Sequence, residues 1–237
     1  MKMIVGLMSV IAILLVALAG PFYKFGVVEL GTAFAGFKFG LLAGIAALVL
    51  LAIQLLFKRN TANVGSALAS AILAVTAIAV PLSMMNTAKN VPPIHDVSTD
   101  LVNPPEFVKI APLRADAPNP VAYAGAEVAE QQRTAYPDLQ TLTYTQSKSE
   151  LIEASNQAIE NLGWELVNTD VDKGIIEATE TTAWFGFKDD VIIRVIDNDS
   201  ERLVDIRSKS RVGQSDLGKN AARIHSFIEE LDSALAK

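Results

Sequence analysis

The stretch Ser147-Lys148-Ser149-Glu150-Leu151-Ile152-Glu153-Ala154-Ser155-Asn156-Gln157-Ala158-Ile159-Glu160-Asn161-Leu162-Gly163 anchors the reading of the whole chain. Ser147 supplies a hydroxyl at an N-cap and Glu150 follows three residues later, the pattern of a capping box. Leu151, Ile152, Ala154, Ala158, Ile159 and Leu162 then recur at helical spacing, and Gly163 ends the run. Just upstream, Thr141–Thr145 reads as a strand. Downstream come four more. Trp164–Val171 and Gly174–Thr182 are joined by a turn at Asp172-Lys173, and Asp190–Ile196 and Arg202–Val212 by Asp197-Asn198-Asp199-Ser200. Ser215 or Asp216 can cap a final helix with an apolar stripe of Leu217, Ala221, Ile224, Ile228, Leu231 and Leu235. The order is β-α-β-β-β-β-α. It predicts an α+β domain over residues 141–237, with an antiparallel sheet and both helices on one face.

Working toward the N-terminus, residues 87–140 hold eight of the ten prolines. Proline fixes φ and pushes the preceding residue toward extended conformations. This linker is therefore predicted to be largely extended, with one short helix near Ala126–Thr134. Ile94, Val97, Leu101 and Phe107 are residues of buried type, so part of the linker is expected to pack on the domain that follows.

Residues 1–86 are of another kind. They contain five Lys/Arg and a single acid, Glu29, whereas residues 87–237 carry 15 Lys/Arg against 25 Asp/Glu, a net of −10. Met3–Gly20, Gly40–Phe57 and Val64–Met85 are apolar runs of about the 18–20 residues that cross ~30 Å of hydrocarbon. They predict a membrane anchor of three transmembrane helices, with the lipid bilayer as first partner. Phe22, Tyr23, Phe25, Phe34, Phe37 and Phe39 gather between the first two runs, where aromatic rings suit the headgroup boundary. The first run can instead be read as a signal peptide with a cleavage site at Ala17-Leu18-Ala19. Lys58-Arg59 mark the second loop as cytoplasmic, which places the acidic domain on the far side. The simplest picture is a multi-pass protein of a bacterial inner membrane with a periplasmic C-terminal domain, and the absence of Cys is compatible with that oxidising compartment. Gly36, Gly40 and Gly44 share one helix face, which can serve self-association, a membrane-protein partner or packing on the chain's own first or third span.

Several residues bear on chemistry. Arg207, Lys209 and Arg211 alternate on one strand and so share a face, while Val204, Ile206 and Val212 take the other. The strand runs on toward the N-terminus of the last helix. Arg207, Lys209 and Arg211, with Ser215, Asp216 and the backbone around Gln214–Leu217, can form a site for a phosphate or carboxylate. The plainer reading pairs these cations with Glu177 or Asp205 across strands. The apolar loop Trp184-Phe185-Gly186-Phe187 can dip into the membrane boundary, grip an apolar ligand or fold back to close the core. His95, Asp96 and Asp100 can be read as an acid–base set, or as residues of local Asx and hydroxyl turns. No cofactor, metal site or catalytic signature is expected: there is no Walker loop, nucleophile elbow or His-Glu-x-x-His. An acidic domain is a poor nucleic-acid partner.

Four segments resemble one known family. They are Ile94-His95-Asp96-Val97-Ser98-Thr99-Asp100, Asn103-Pro104-Pro105-Glu106-Phe107, Thr182-Ala183-Trp184-Phe185-Gly186-Phe187-Lys188-Asp189-Asp190, and the run from Asp205 to Gly218. Over roughly Val91–Leu235 the chain resembles the bacterial membrane-anchored family catalogued as domain of unknown function 1499. The resemblance implies an envelope-associated domain and supplies no activity, cofactor or catalytic residue. The sequence thus points first to a binding or scaffold module, for an anionic envelope ligand or a partner protein. The alternatives are a periplasmic hydrolase using His95, Asp96 and Asp100, and an accessory subunit of a membrane complex.

Overall fold

The computed structural model of the protein describes residues 1–57, 63–198 and 200–236. Lys58-Arg59, the pair that set the expected orientation, and Asp199 of the expected turn lie outside the described residues. The chain forms two compact units, one of Met1–Lys89 with Ala183–Gly186, the other of Asn90–Thr182 with Phe187–Lys237.

The first unit is helical. Its elements are α1 (Lys2–Ala17), α2 (Ala19–Lys24), α3 (Leu30–Phe57) and α4 (Val64–Asn90). Two of them, α3 and α4, are long and apolar enough to cross a membrane, with mean hydropathies of 2.5 and 2.1. The first of the three expected spans is realised as α1, whose 16 residues fall short of that length. Glycine brings these helices together. A Cβ at Gly36 would lie 2.8 Å from the Leu15 carbonyl oxygen, and one at Gly40 would lie 2.6 Å from a Val16 methyl. A Cβ at Gly44 would meet Ile78 at 2.9 Å and the Ala74 carbonyl at 3.0 Å. The glycine face is therefore spent on close approach to the chain's own α1 and α4. Trp184 and Phe185 belong to this unit rather than to the end of the sheet's core. The Trp184 ring meets Phe37 edge-on, with centroids 5.5 Å apart, and its Nε1 donates to the Ala17 carbonyl at 3.1 Å. Phe185 contacts Tyr23, Phe34 and Phe37.

The second unit is an α+β domain. Its elements are β1 (Asp96–Ser98), α5 (Ile110–Leu113), α6 (Ala126–Ala135), β2 (Leu142–Tyr144), α7 (Lys148–Asn161), β3 (Glu165–Asp170), β4 (Ile175–Thr181), β5 (Lys188–Asn198), β6 (Glu201–Ser210) and α8 (Lys219–Leu235). From β2 onward the order is β-α-β-β-β-β-α, as the patterning predicts; β1, out of the Pro-rich segment, is a sixth strand. All pairings are antiparallel in the order β1-β6-β5-β4-β3. Both β1 and β2 pair with β6, β1 along Arg207–Lys209 and β2 along Arg202–Val204.

The capping box at Ser147 and Glu150 forms as expected. Gly163 takes φ +70 after the helix, a conformation open to a residue without Cβ. One face of the sheet, with Ile176, Val191, Ile193, Val204 and Ile206, packs on Leu151 and Ile159 of α7 and on Ile224, Phe227 and Leu231 of α8. Trp164 stacks on Phe227 with centroids 6.1 Å apart. The last helix starts later than its capping residues suggest. Leu217 and Gly218 adopt left-handed φ values of 57 and 79, so α8 begins at Lys219 and Leu217 leaves the apolar stripe. Gly218 takes the N-cap position in place of Ser215 or Asp216, and Asp216 accepts from the backbone N–H of Gly218 and Asn220, each at 2.7 Å. Ser215 Oγ accepts from the Leu217 N–H.

Candidate functional site

The second face of the sheet carries the candidate residues. Strand alternation sends Val204 and Ile206 into the helix-covered core and Ser208 and Ser210 toward Asn220 of α8. Asp205, Arg207 and Lys209 point the other way. Residues 99–124 of the Pro-rich segment lie over that face as a strap. Arg207 is 1% exposed and Lys209 0%.

The anion that these cations hold is internal. Asp96 sits on β1 directly opposite Lys209 in register. Its Oδ1 accepts from Arg207 Nε at 2.8 Å. Its Oδ2 accepts from Arg207 Nη2 and Lys209 Nζ, both at 2.9 Å, and from the Ala124 N–H at 3.2 Å. Arg207 also donates to the Pro105 and Val121 carbonyls, and Lys209 to that of Ala122. The guanidinium lies between the Phe107 and Tyr123 rings, 5.1 and 5.3 Å from their centroids. The open anion pocket expected here is thus filled by Asp96 and roofed by the strap.

Four further carboxylates complete the layer. Asp190 takes Arg211 through two bonds of 2.8 Å, Arg114 at 3.1 Å and the Thr179 hydroxyl at 2.8 Å. Glu177 accepts the backbone N–H groups of Val108, Lys109 and Ile110, which pins the start of α5 onto the sheet, and a bond from Asn168. Asp205 holds Arg194 at 2.7 Å, and Arg194 reaches Asp100 at 3.1 Å. Arg114, Arg194, Arg207, Lys209 and Arg211 face Asp96, Asp100, Glu177, Asp190 and Asp205, so charge balances across the face. Balance matters because each buried ion costs several kcal/mol unless its partners are well placed. Burial pushes the Lys209 ammonium below its ordinary pKa despite Asp96, and it lowers Arg114 likewise. The Tyr123 phenol is raised to about 12, first by burial and then by Asp96.

A smaller cluster sits on the helix-covered side. Arg223 of α8 binds Asp189 at 2.6 Å, and also Glu180, Ser208 and Asn220. Adjacent Asp189 and Asp190 therefore serve opposite faces, as strand geometry requires. Asp216 is held above the usual carboxyl range, chiefly by burial.

The acid–base set does not assemble. Asp96 turns into the ionic layer, while His95 Nδ1 lies 3.3 Å from the Gln214 carbonyl oxygen. Asp100 pairs with Arg194 and accepts from the Val102 and Asn103 N–H groups in a local turn. Among the described residues no group of three His, Asp or Glu side chains is arranged to hold a metal. The sequence reading missed Arg114, Arg194 and Arg223, and where its plainer alternative paired the strand's cations with Glu177 or Asp205, Glu177 takes backbone N–H groups and Asp205 takes Arg194. The available signal was an isolated acid in an apolar strand, Ile175-Ile176-Glu177-Ala178, where an unpaired charge is not tolerated.

Fold and site together define an α+β domain whose ionic sheet face is closed by its own N-terminal strap. The family described as Protein of unknown function (DUF1499) matches residues 96–231, and the chain belongs to it. The match opens at Asp96, so it takes in both the strap and the sheet on which the strap is clasped. No curated protein matches the chain.

Proposed function

We propose that the protein is a membrane-anchored binding or scaffold module of the bacterial envelope, with its α+β domain displayed in the periplasm. The observation that carries this reading is the outer surface of α3 and α4. Only 28% and 22% of their most apolar windows are buried, so most of that apolar surface needs a lipid or protein cover. The core helix of a soluble domain would have buried it. Binding is favoured over hydrolysis because His95, Asp96 and Asp100 are committed to separate contacts, and because the charged face is used to hold the strap. In this reading the domain presents a rigid outer surface, and a ligand or partner protein engages that surface rather than Arg207 and Lys209.

C-terminal fusions to alkaline phosphatase and to green fluorescent protein test the placement. The expected result is membrane fractionation, phosphatase activity and no fluorescence. A fluorescent, phosphatase-negative pair, or recovery in the soluble fraction, overturns it. Native mass spectrometry of the full chain in mild detergent tests the binding role: a stoichiometric protein or envelope ligand supports it, and a bare monomer counts against it.

A further inference from the structure

The two edges of the sheet are treated differently. At one edge the outer side of β1 is closed: Gln132 of α6 accepts from the Ser98 N–H at 2.9 Å and donates to the Ser98 carbonyl at 2.6 Å. At the other edge β3 pairs only with β4, and among the described residues no loop or side chain bonds the backbone of Glu165–Asp170 on its outer side. Beside this edge runs a groove of about 430 Å³ between β3 and α7. Ile159, Trp164 and Leu166 form its floor, and Leu166 is 48% exposed. Glu153 and Glu160 stand along its rim seven residues apart, on one side of α7, and no ion pair among the described residues reaches either.

We propose that this edge and groove receive an extended basic peptide segment of a partner protein, which adds a strand to β3. An exposed edge strand offers main-chain bonds, and alternate side chains of the incoming strand supply specificity. The set that points toward α7 would lay the stems of Lys or Arg over Trp164 and Leu166 and bring their charges to Glu153 and Glu160. The charge of the edge argues against a second copy of this chain. The charged residues of β3 are Glu165 and Asp170, and a symmetric antiparallel pair of β3 strands sets each Glu165 opposite the other copy's Asp170. Like charges directly opposed are destabilising. Lys188 and Lys173 lie 3.9 and 3.5 Å from those two carboxylates, so the strand ends are partly neutralised while the rim on α7 stays acidic. The register shift between Leu166 and Asn168 divides the edge, which suits a short added strand.

This inference rests on the binding-module reading but not on the membrane placement, so its failure leaves the fusion experiment untouched. The test uses the full chain in mild detergent and two fluorescein-labelled hexapeptides, alternating Lys-Val and alternating Glu-Val, read by fluorescence anisotropy. The Lys-Val peptide is expected to bind and the Glu-Val peptide not. Glu153→Lys with Glu160→Lys should weaken binding at least tenfold, and the same charge change on α6, Glu127→Lys with Glu130→Lys, should leave it within twofold. Hydrogen exchange should show new protection on Glu165–Asp170 when the peptide is bound. Equal loss in both double variants reduces the effect to net charge and overturns the site. So does binding without protection of β3, or a peptide-free dimer whose protection falls on β3.

Discussion

One sheet has two buried faces that are built from opposite materials. Toward α7 and α8, β6 contributes Val204 and Ile206 to an apolar core; toward the strap it contributes Asp205, Arg207 and Lys209 to an ionic layer. Apolar contacts tolerate exchange, because any hydrophobe of the right volume fills the space. Ionic contacts do not, since each member is buried on the condition that its partner is present. The strap's seat is therefore specified by particular atoms, and the helix layer's seat by volume.

Removing one carboxylate sets this contrast most sharply. Asp96→Ala leaves Arg207 and Lys209 buried without their anion, and should cost about 3–5 kcal/mol in urea denaturation of the full chain. Limited proteolysis should then cut within residues 99–124 while α7 and α8 stay intact. If loss of Asp96 leaves the strap protected, the two faces do not differ as argued. On the apolar side, Phe227→Ala removes the ring stacked on Trp164 and should cost about 3–5 kcal/mol, without selective release of the strap. Comparable stability losses with different proteolysis patterns would separate the faces.

The comparison sharpens when the ions are removed together. A triple replacement of Asp96, Arg207 and Lys209 by hydrophobes of similar volume should restore most of what Asp96→Ala loses, because no charge is left unpaired. Persistent destabilisation would mean that the ion geometry itself, rather than its balance, seats the strap. Ser147→Ala, distant from both faces, should cost about 1 kcal/mol of α7 capping. The smallest effect is electrostatic. Asp216 has a raised pKa in the fold, so its ionised form opposes folding, and the stability tied to its neutral form is lost as pH rises through that pKa. Asp216→Asn should therefore abolish this fall in stability with rising pH, while losing one of the two backbone bonds because an amide nitrogen cannot accept an N–H. The stability of the native chain relative to this variant should shrink as pH rises from below the ordinary carboxyl range to 7, in melts followed by circular dichroism.

Legibility followed the same divide. The α7 capping box, the strands after it and the stripe of α8 are periodic signals between residues close in sequence, so their order could be read directly. Alternation also set Arg207 and Lys209 correctly on the face opposite Val204 and Ile206. Burial of those cations was not legible, because it depends on Asp96 more than 100 residues away and on a strap that has no periodicity. Trp184 and Phe185 failed to read for a related reason: an aromatic loop declares its need for cover without declaring what covers it. The start of α8 was lost to two left-handed residues that no capping rule anticipates.

The clasp also orders events in time. Asp96 and Arg207 are 111 residues apart, whereas β4, β5 and β6 follow one another closely along the chain. Contacts between near neighbours close early and distant ones late, since the entropy of loop closure must be met first. During synthesis the strap leaves the ribosome well before its seat on β6 exists. It must wait, extended and unpaired, and its prolines keep it from settling into a helix meanwhile. The domain is closed by the segment made first.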